Sequence, residues 1–248
     1  HSCSPTTDTD VVAAVGWTPT GELLSCSDDN TIGRWSTDGD NAGTVCKVDA
    51  AITAMHWFPS VGGQVSDLFA VSCTDGSFRI VSNTGREEKR VEAAAAAVIS
   101  LRWNLDGSAL ATAGEDGAVK VWSRSGMLRS TIATCAHPVY AVVWGPDNDQ
   151  ILYASGRELT IKSLQVDRKQ LSWKAHDGVV LSVDWNVVTS TIVSGGEDCK
   201  YKVWDRFGRQ LFQSAPFEHV VTAVRWSPRG DTFAVGSYNL IRLCDKAG

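Results

Sequence analysis

Short apolar stretches separated by polar turns run along the whole 248-residue chain. Within the stretches apolar and polar positions alternate, which is the period of a β-strand with two different faces. The pattern lacks the longer period of an amphipathic helix. The run of alanines at 93–97 is too short to nucleate a helix, and we expect a loop or the start of a strand there. The pattern predicts an all-β protein.

The strands recur in a fixed order that is marked by tryptophan. Six tryptophans end the first strand of a repeated unit, at spacings of 40, 46, 41, 41 and 41 residues: Trp17, Trp57, Trp103, Trp144, Trp185 and Trp226. Each is followed by a turn, an apolar strand, a second turn, a third strand and a further turn. These features predict six units in a single domain, residues 10–50, 51–97, 98–136, 137–174, 175–217 and 218–248.

A repeat of about 40 residues with four short strands is typical of a β-propeller blade. A four-stranded blade is apolar on both faces, so one blade alone cannot bury itself. Stacking blades radially buries each face against a neighbour. The recurring tryptophans supply large apolar surfaces for that contact.

The third strand and its neighbours carry a more specific signal. In the fifth unit they include His176, Ser194, Asp198 and Trp204, and this arrangement resembles WD repeats. The resemblance implies that the four side chains form a buried hydrogen-bond network, which satisfies polar groups that are costly to bury alone.

The other units depart from this pattern, and we expect some of their blades to be looser. Asp29, Asp75 and Asp116 keep the aspartate, but the histidine position holds Asp8, Val48 and Ala94. In units two, four and six we place Val81, Leu164 and Cys244 at the position of the final tryptophan.

Several longer runs, residues 25–29, 126–131, 173–178, 197–205 and 242–246, resemble the WD-repeat subunits of intraflagellar transport complex B. That resemblance implies a ciliary scaffold with two propellers followed by helical repeats, of which this chain holds the first propeller. It implies protein subunits of that complex as partners and a cytoplasmic location at the cilium or flagellum and its base. The repeat alone leaves another assembly open, such as a vesicle coat or a ubiquitin-ligase adaptor.

Composition narrows the function classes. The net charge is −5 and the pI is about 5.5. Nucleic-acid binders usually show a basic face, so we expect no nucleic-acid partner. Seven widely spaced cysteines without a C-x-x-C predict free thiols rather than disulfides or a zinc site. The five histidines, His1, His56, His137, His176 and His219, lie far apart, so we expect no metal and no cofactor. No stretch has the length of an apolar membrane span.

His176, Ser194 and Asp198 could also be mistaken for a catalytic set. A nucleophilic serine needs a cleft and an oxyanion hole, and no G-x-S-x-G motif occurs. We therefore predict that the chain is not an enzyme. An enzymatic propeller, with carboxylates or histidines converging on the central channel, is the alternative.

A basic residue recurs near the end of the third strand, at Arg79, Lys120, Lys162, Lys202 and Arg242. We expect the aliphatic stems to pack and the charged heads to reach water.

Two aromatic residues break the repeat at turns that open on one rim. Phe58 follows Trp57, and Phe207 lies in the turn after Trp204. An exposed aromatic can anchor a partner, and both are candidates for protein binding; packing against the rim is the alternative. An insertion at 59–67 lengthens a loop of unit two.

The last expectation concerns ring closure. Unit six reaches its third strand at 240–244, and units one, three and five carry fourth strands at 44–48, 127–132 and 209–213. The segment 1–9 is polar, contains Pro5 and lacks strand alternation. We expect an incomplete seven-bladed ring whose seventh blade lies outside this sequence. A six-bladed ring with units one and six in contact is the alternative.

Overall fold

The computed structural model describes residues 11–60, 62, 66–165 and 167–248. These residues form 23 β-strands and no helix. The strands belong to six antiparallel sheets, one for each tryptophan-marked unit, and in every sheet the strands follow chain order. The prediction of an all-β propeller with six blades is therefore confirmed.

The first three sheets have four strands each. Sheet one comprises β1 Val12–Trp17, β2 Leu23–Ser27, β3 Thr31–Trp35 and β4 Asn41–Lys47. Sheet two comprises β5 Ile52–Trp57, β6 Leu68–Cys73, β7 Ser77–Ser82 and β8 Glu87–Glu92. Sheet three comprises β9 Val98–Trp103, β10 Ala109–Gly114, β11 Ala118–Ser123 and β12 Leu128–Thr134.

The last three sheets repeat the pattern, and sheet six has three strands. Sheet four comprises β13 Val139–Trp144, β14 Gln150–Ser155, β15 Glu158–Ser163 and β16 Leu171–Lys174. Sheet five comprises β17 Val180–Trp185, β18 Ile192–Gly196, β19 Tyr201–Trp204 and β20 Gln210–Gln213. Sheet six comprises β21 Val221–Trp226, β22 Thr232–Ser237 and β23 Leu240–Asp245.

The chain divides into two compact units, and its assignment to a single domain of six repeat units stays a prediction. The first holds His1–Asp116 and Val121–Arg129, and the second holds Gly117–Lys120 and Ser130–Gly248. Each unit has an apolar core between neighbouring sheets. In the first unit the core includes Leu24, Ile32, Phe69, Phe78, Leu101 and Leu110. In the second it includes Leu152, Leu159, Ile192, Trp204, Val221 and Phe233.

Hydrogen bonds join the inner strands of neighbouring sheets at the residue that precedes the tryptophan. His56 Nδ1 accepts a hydrogen bond from the backbone N–H of Trp103, at 3.0 Å. Asp184 Oδ2 accepts one from the backbone N–H of Trp226, at 2.8 Å. Since β9 and β21 are edge strands of their sheets, side chains replace the water that would otherwise satisfy these backbone groups.

Some sequence-based expectations concern residues that the structure does not describe. The segment 1–9, with Asp8, lies outside the described residues, as do positions 61 and 63–65 of the insertion. The seventh blade and its alternative, direct contact of units one and six, stay predictions.

Candidate functional site

The four residues singled out in the fifth unit come together in sheet five. His176 lies before β17, Ser194 in β18, Asp198 in the turn before β19, and Trp204 at the end of β19. His176 Nδ1 is 2.8 Å from Asp198 Oδ1, and His176 Nε2 is 2.8 Å from Ser194 Oγ. The indole N–H of Trp204 donates to Ser194 Oγ at 2.8 Å. We call these four residues the sheet-five network.

The bond pattern fixes the protonation of the network. Burial lowers the pKa of His176 despite the nearby Asp198 carboxylate, so the ring is neutral at pH 7. Its Nδ1–H then donates to Asp198, and its Nε2 accepts from the Ser194 hydroxyl. Burial would raise the pKa of Asp198, but hydrogen bonds from His176 and from the backbone of Asp177 and Lys200 outweigh burial and hold the pKa low.

The network is closed to substrate. His176 is 1% exposed and Ser194 has no exposed surface, so nothing can approach the serine hydroxyl. Each polar atom of the serine and the imidazole has its partner inside the network. The arrangement therefore holds the connection before β17, β18 and β19 together rather than presenting a nucleophile.

Two sheets keep part of this arrangement. In sheet one the indole N–H of Trp35 donates to Ser25 Oγ at 2.8 Å. In sheet three Trp122 donates to Thr112 Oγ1, also at 2.8 Å.

Sheet two replaces the network with ion pairs. Arg79, whose side chain is 4% exposed, contacts Asp49, and its guanidinium lies 3.2 Å from both Asp75 and Glu87. Arg90 lies 3.1 Å from Asp49 and from Asp75. The hydrogen bond from Arg79 lowers the pKa of Asp49. Three carboxylates thus compensate a guanidinium that would be costly to bury alone.

Sheet four departs furthest, and here the structure corrects the sequence alignment. Trp204 pairs with Ile192 in sheet five, whereas Lys162 pairs with Ile151 in sheet four. The prediction that Leu164 takes the tryptophan position is therefore wrong. The cause is the second turn, which spans only residues 156–157 in sheet four but 197–200 in sheet five.

The same correction removes Lys162 from the series of basic residues. Lys202 pairs with Ser194, and the corresponding pair in sheet four is Thr160 with Tyr153. The prediction that the basic heads reach water is also wrong for two members. Lys202 Nζ donates to the carbonyl of Ala175 at 2.6 Å, and Arg79 is held by its carboxylates.

The two rim aromatics differ from each other. Phe58 is 6% exposed; its ring packs 5.0 Å from the Trp103 ring, and the Arg124 guanidinium lies 4.2 Å above it. The packing alternative therefore describes Phe58. Phe207 is 60% exposed, with the guanidinium of Arg206 at 5.2 Å from its ring centroid. A pattern of residue types alone does not separate these two cases.

Three further features of the described residues concern metal sites, cysteines and membrane-spanning helices. Among the described residues no group of three or more His, Cys, Asp or Glu side chains could hold a metal ion. The cysteines within the described residues are free: Cys26, Cys46, Cys73, Cys135, Cys199 and Cys244; Cys3 lies outside them. No helix in that part of the chain has the length and apolar character needed to cross a membrane.

Comparison with known proteins identifies the repeat. The family model of the WD domain, G-beta repeat, matches residues 2–36, 86–123, 168–205 and 212–245. Over 245 residues, 96% of this chain, the sequence is 50% identical to the intraflagellar transport protein 80 homolog of Mus musculus. It is equally similar to the homolog of Rattus norvegicus.

A second relative is more distant. The F-box-like/WD repeat-containing protein TBL1X of Mus musculus is 28% identical over 144 residues, 54% of this chain and 25% of the relative. The chain covers 32% of each intraflagellar transport relative, so it spans about a third of their length.

Proposed function

Because this chain belongs to the WD-repeat family, we propose that it is a non-catalytic protein-interaction scaffold and a subunit of intraflagellar transport complex B that is needed for cilium assembly. The observation that carries the proposal is 50% identity over 96% of the chain to the intraflagellar transport protein 80 homologs. The F-box-like relative is similar over only 54% of the chain. The proposed location is the cilium or flagellum and its base, and the proposed partners are protein subunits of the same complex.

The buried sheet-five network supports the non-catalytic part of the proposal. Its serine, histidine and aspartate are the residue types of a hydrolase, but they hydrogen-bond with one another, and the serine and histidine are buried. A propeller stabilised in this way offers rigid turns for binding.

We further propose that Phe207 anchors a protein partner. Asp205 Oδ1 accepts hydrogen bonds from the backbone N–H of Phe207 at 2.8 Å and of Arg209 at 2.9 Å, so the turn is held in one conformation. The exposed ring therefore loses little freedom on binding. Val188, 66% exposed, lies in the turn between β17 and β18, which opens on the same edge of sheet five as the Phe207 turn. The arginines beside the ring favour a partner with acidic residues around an apolar contact.

We also propose that a further blade covers the apolar faces of sheets one and six. In sheet six Ile241 is 79% exposed and Leu243 is 76% exposed. In sheet one Trp17 is 62% exposed and Val15 is 58% exposed. Faces of this kind are covered in stable proteins. A longer chain should bind less of a dye that reports exposed apolar surface; equal dye binding would contradict this proposal.

Affinity purification from ciliated cells, followed by quantitative mass spectrometry, tests the function. We expect intraflagellar transport subunits to copurify with the tagged protein. Recovery of ubiquitin-ligase or vesicle-coat subunits in their place would contradict the assignment and favour the alternative assemblies.

The variant Phe207→Ala tests the anchor in the same experiment. We expect a loss of partner recovery of about tenfold or more, since central aromatic contacts carry much of the binding energy of an interface. Leu211→Ala is the matched control, because Leu211 is 58% exposed on β20 of the same sheet. Equal recovery for both variants would remove Phe207 from the interface.

A further inference from the structure

Sheet four contains a cavity of about 920 Å³ at the place that the sheet-five network fills in sheet five. Its wall includes Cys135, Tyr153, Thr160 and Lys162. By register Tyr153 takes the place of Ser194, and Lys162 that of Trp204. Cys135 precedes Trp144 by the same interval as His176 precedes Trp185. Cys135 and Lys162 are smaller than histidine and tryptophan, whereas Tyr153 is larger than serine, so the same place has a wall of different shape and chemistry.

Sheet six shows a different outcome at the same positions. There Val235 takes the place of Ser194 and Cys244 that of Trp204, and both are packed in the apolar core. A smaller cavity of about 480 Å³ in this sheet is lined by other residues, including Phe217, Tyr238 and Arg242.

The wall of the sheet-four cavity combines hydroxyl groups with apolar side chains, Val179 among them. Tyr153 is 5% exposed and hydrogen-bonds with Thr160 and Cys135. Thr160 Oγ1 lies 2.8 Å from Ser172 Oγ. A wall of this mixed character suits a peptide, whose backbone groups form hydrogen bonds while its side chains supply apolar contacts, as in protein interfaces.

The charges of the wall favour an anion. Apart from the imidazole of His137, the charged groups are Lys162, Arg157 and Glu158, which leave one positive charge. Lys162 Nζ donates to the carbonyl of Ile132 at 2.5 Å, and it has no carboxylate partner among the described residues. Its remaining N–H groups can therefore bind an incoming anion.

We propose that this cavity binds a peptide segment of a partner protein through one carboxylate side chain, held by Lys162 and Arg157. A single carboxylate matches the single positive charge, whereas a phosphate carries about −1.5 to −2 and would meet Glu158 without full compensation. The tyrosines Tyr140 and Tyr153 supply the aromatic contacts that are common in protein interfaces. The inference rests on the proposed role as a protein-binding scaffold and names a site for it.

Fluorescence anisotropy with three dye-labelled pools of eight-residue peptides tests the proposal. The pools are randomised over Gly, Ser, Ala and Tyr around a fixed central residue, which is glutamate, glutamine or phosphoserine. We expect the glutamate pool to bind the 248-residue protein about tenfold more tightly than the glutamine pool, because a charge-assisted pair is gained. Equal binding, or tighter binding of the phosphoserine pool, would overturn the proposal.

Variants locate the preference in the cavity. Lys162→Met and Arg157→Gln should each remove most of the preference for glutamate. Lys174→Met is the matched control, because Lys174 lies on β16 outside the cavity wall and pairs with Asp177. A preference that survives Lys162→Met in a protein whose circular dichroism is unchanged would place the site elsewhere.

A third arm rebuilds the cavity wall with residue types from sheet five. The combined change Cys135→His, Tyr153→Ser and Lys162→Trp places three of the four network residue types in sheet four; it removes the Lys162 ammonium group and should abolish peptide binding. Arg157→Gln, in an exposed turn, keeps the test decisive if the combined variant fails to fold. The peptide assay contains no transport subunit, so its failure is separate from a failure of copurification.

Discussion

Sheets four and five are consecutive copies of one repeat, yet they fill the same space differently. Both have four strands, and both place a tryptophan opposite an isoleucine on the second strand. Sheet five fills the region near its second turn with the hydrogen-bonded His176, Ser194, Asp198 and Trp204. Sheet four holds a cavity there, lined by Cys135, Tyr153 and Lys162.

Sheet four shows that a repeat can keep its place in the structure without the hydrogen-bonded network of sheet five. The opposite face of sheet four is apolar and buried, with Leu152, Leu159 and Ile161 packed in the core shared with sheet five. The sheet therefore keeps its place in the core without the network. Its other face is held by different contacts from those of sheet five, since Tyr153 is 5% exposed and Lys162 donates to the carbonyl of Ile132.

Truncation of the residue at the tryptophan position of the third strand should give the largest difference in stability between sheets four and five. Trp204 is 4% exposed, and Trp204→Ala leaves a void and removes the donor to Ser194 Oγ, so we expect a loss of about 3–5 kcal/mol in the free energy of unfolding. Lys162→Ala, at the equivalent position, removes one hydrogen bond and should cost only about 0.5–1.5 kcal/mol. Urea denaturation of both variants measures the difference.

Equal losses for Trp204→Ala and Lys162→Ala would mean that the network contributes nothing beyond ordinary strand contacts. Since the two residues occupy one register position, the pair of variants controls for position in the sheet.

The histidine position should give the next largest difference. His176→Ala leaves Asp198 without its imidazole donor, and we expect a cost of about 1–3 kcal/mol. Cys135→Ala removes a small side chain beside a cavity and should change stability by less than about 0.5 kcal/mol. Thermal and urea unfolding of the two variants check this. A His176→Ala protein as stable as the parent, but defective in partner binding, would instead make His176 a functional residue.

Lowering the pH should weaken the contribution of the sheet-five network to stability, whereas sheet four has no histidine at the position of His176. The folded-state pKa of His176 lies below the ordinary value of 6.5, so the unfolded chain binds the proton more tightly. The contribution of the neutral imidazole is fully present above pH 6.5. It is lost as the pH falls from there toward the folded-state pKa, with a slope of up to about 1.4 kcal/mol per pH unit.

Unfolding free energies of the parent and of His176→Asn, measured between pH 7.5 and 5, isolate this contribution. The parent should lose stability more steeply than the variant, whose amide does not titrate. Parallel curves would show that His176 is not held neutral in the folded protein.

The strand order and the network of sheet five follow from the sequence because they depend on short-range regularities. The tryptophan spacing fixes the units, and the residue types of His176, Ser194, Asp198 and Trp204 occur at full repeat spacing. Alternation then decides which side chains share a face, because neighbouring residues of a strand point to opposite sides.

Side-chain environment was harder to predict than strand order. The shortened turn at 156–157 moved Lys162 into the tryptophan position, and counting from the strand end missed it. A comparison of turn lengths could have revealed that shift. Phe58 and Phe207 look alike in sequence, and only the packing of Phe58 between Trp103 and Arg124 separates them. The cavity itself has no sequence signal beyond the absence of the four network residues.

The smallest effect expected concerns thiol reactivity, and it sharpens the comparison at one position. Cys135 is partly exposed in the cavity wall, so a small maleimide should label it in the folded protein with little change in stability, because the cavity has room for the adduct. In a His176→Cys variant the new thiol would lie where His176 is 1% exposed and should resist labelling.

Cys73 gives an internal reference, since it is buried and burial raises its pKa to about 11, which leaves almost no thiolate at neutral pH. After unfolding without reductant all seven cysteines should be labelled, as free thiols require. Mass spectrometry of proteolytic peptides gives the label at each position, and protection of Cys135 in the folded protein would mean that the sheet-four cavity is closed in solution.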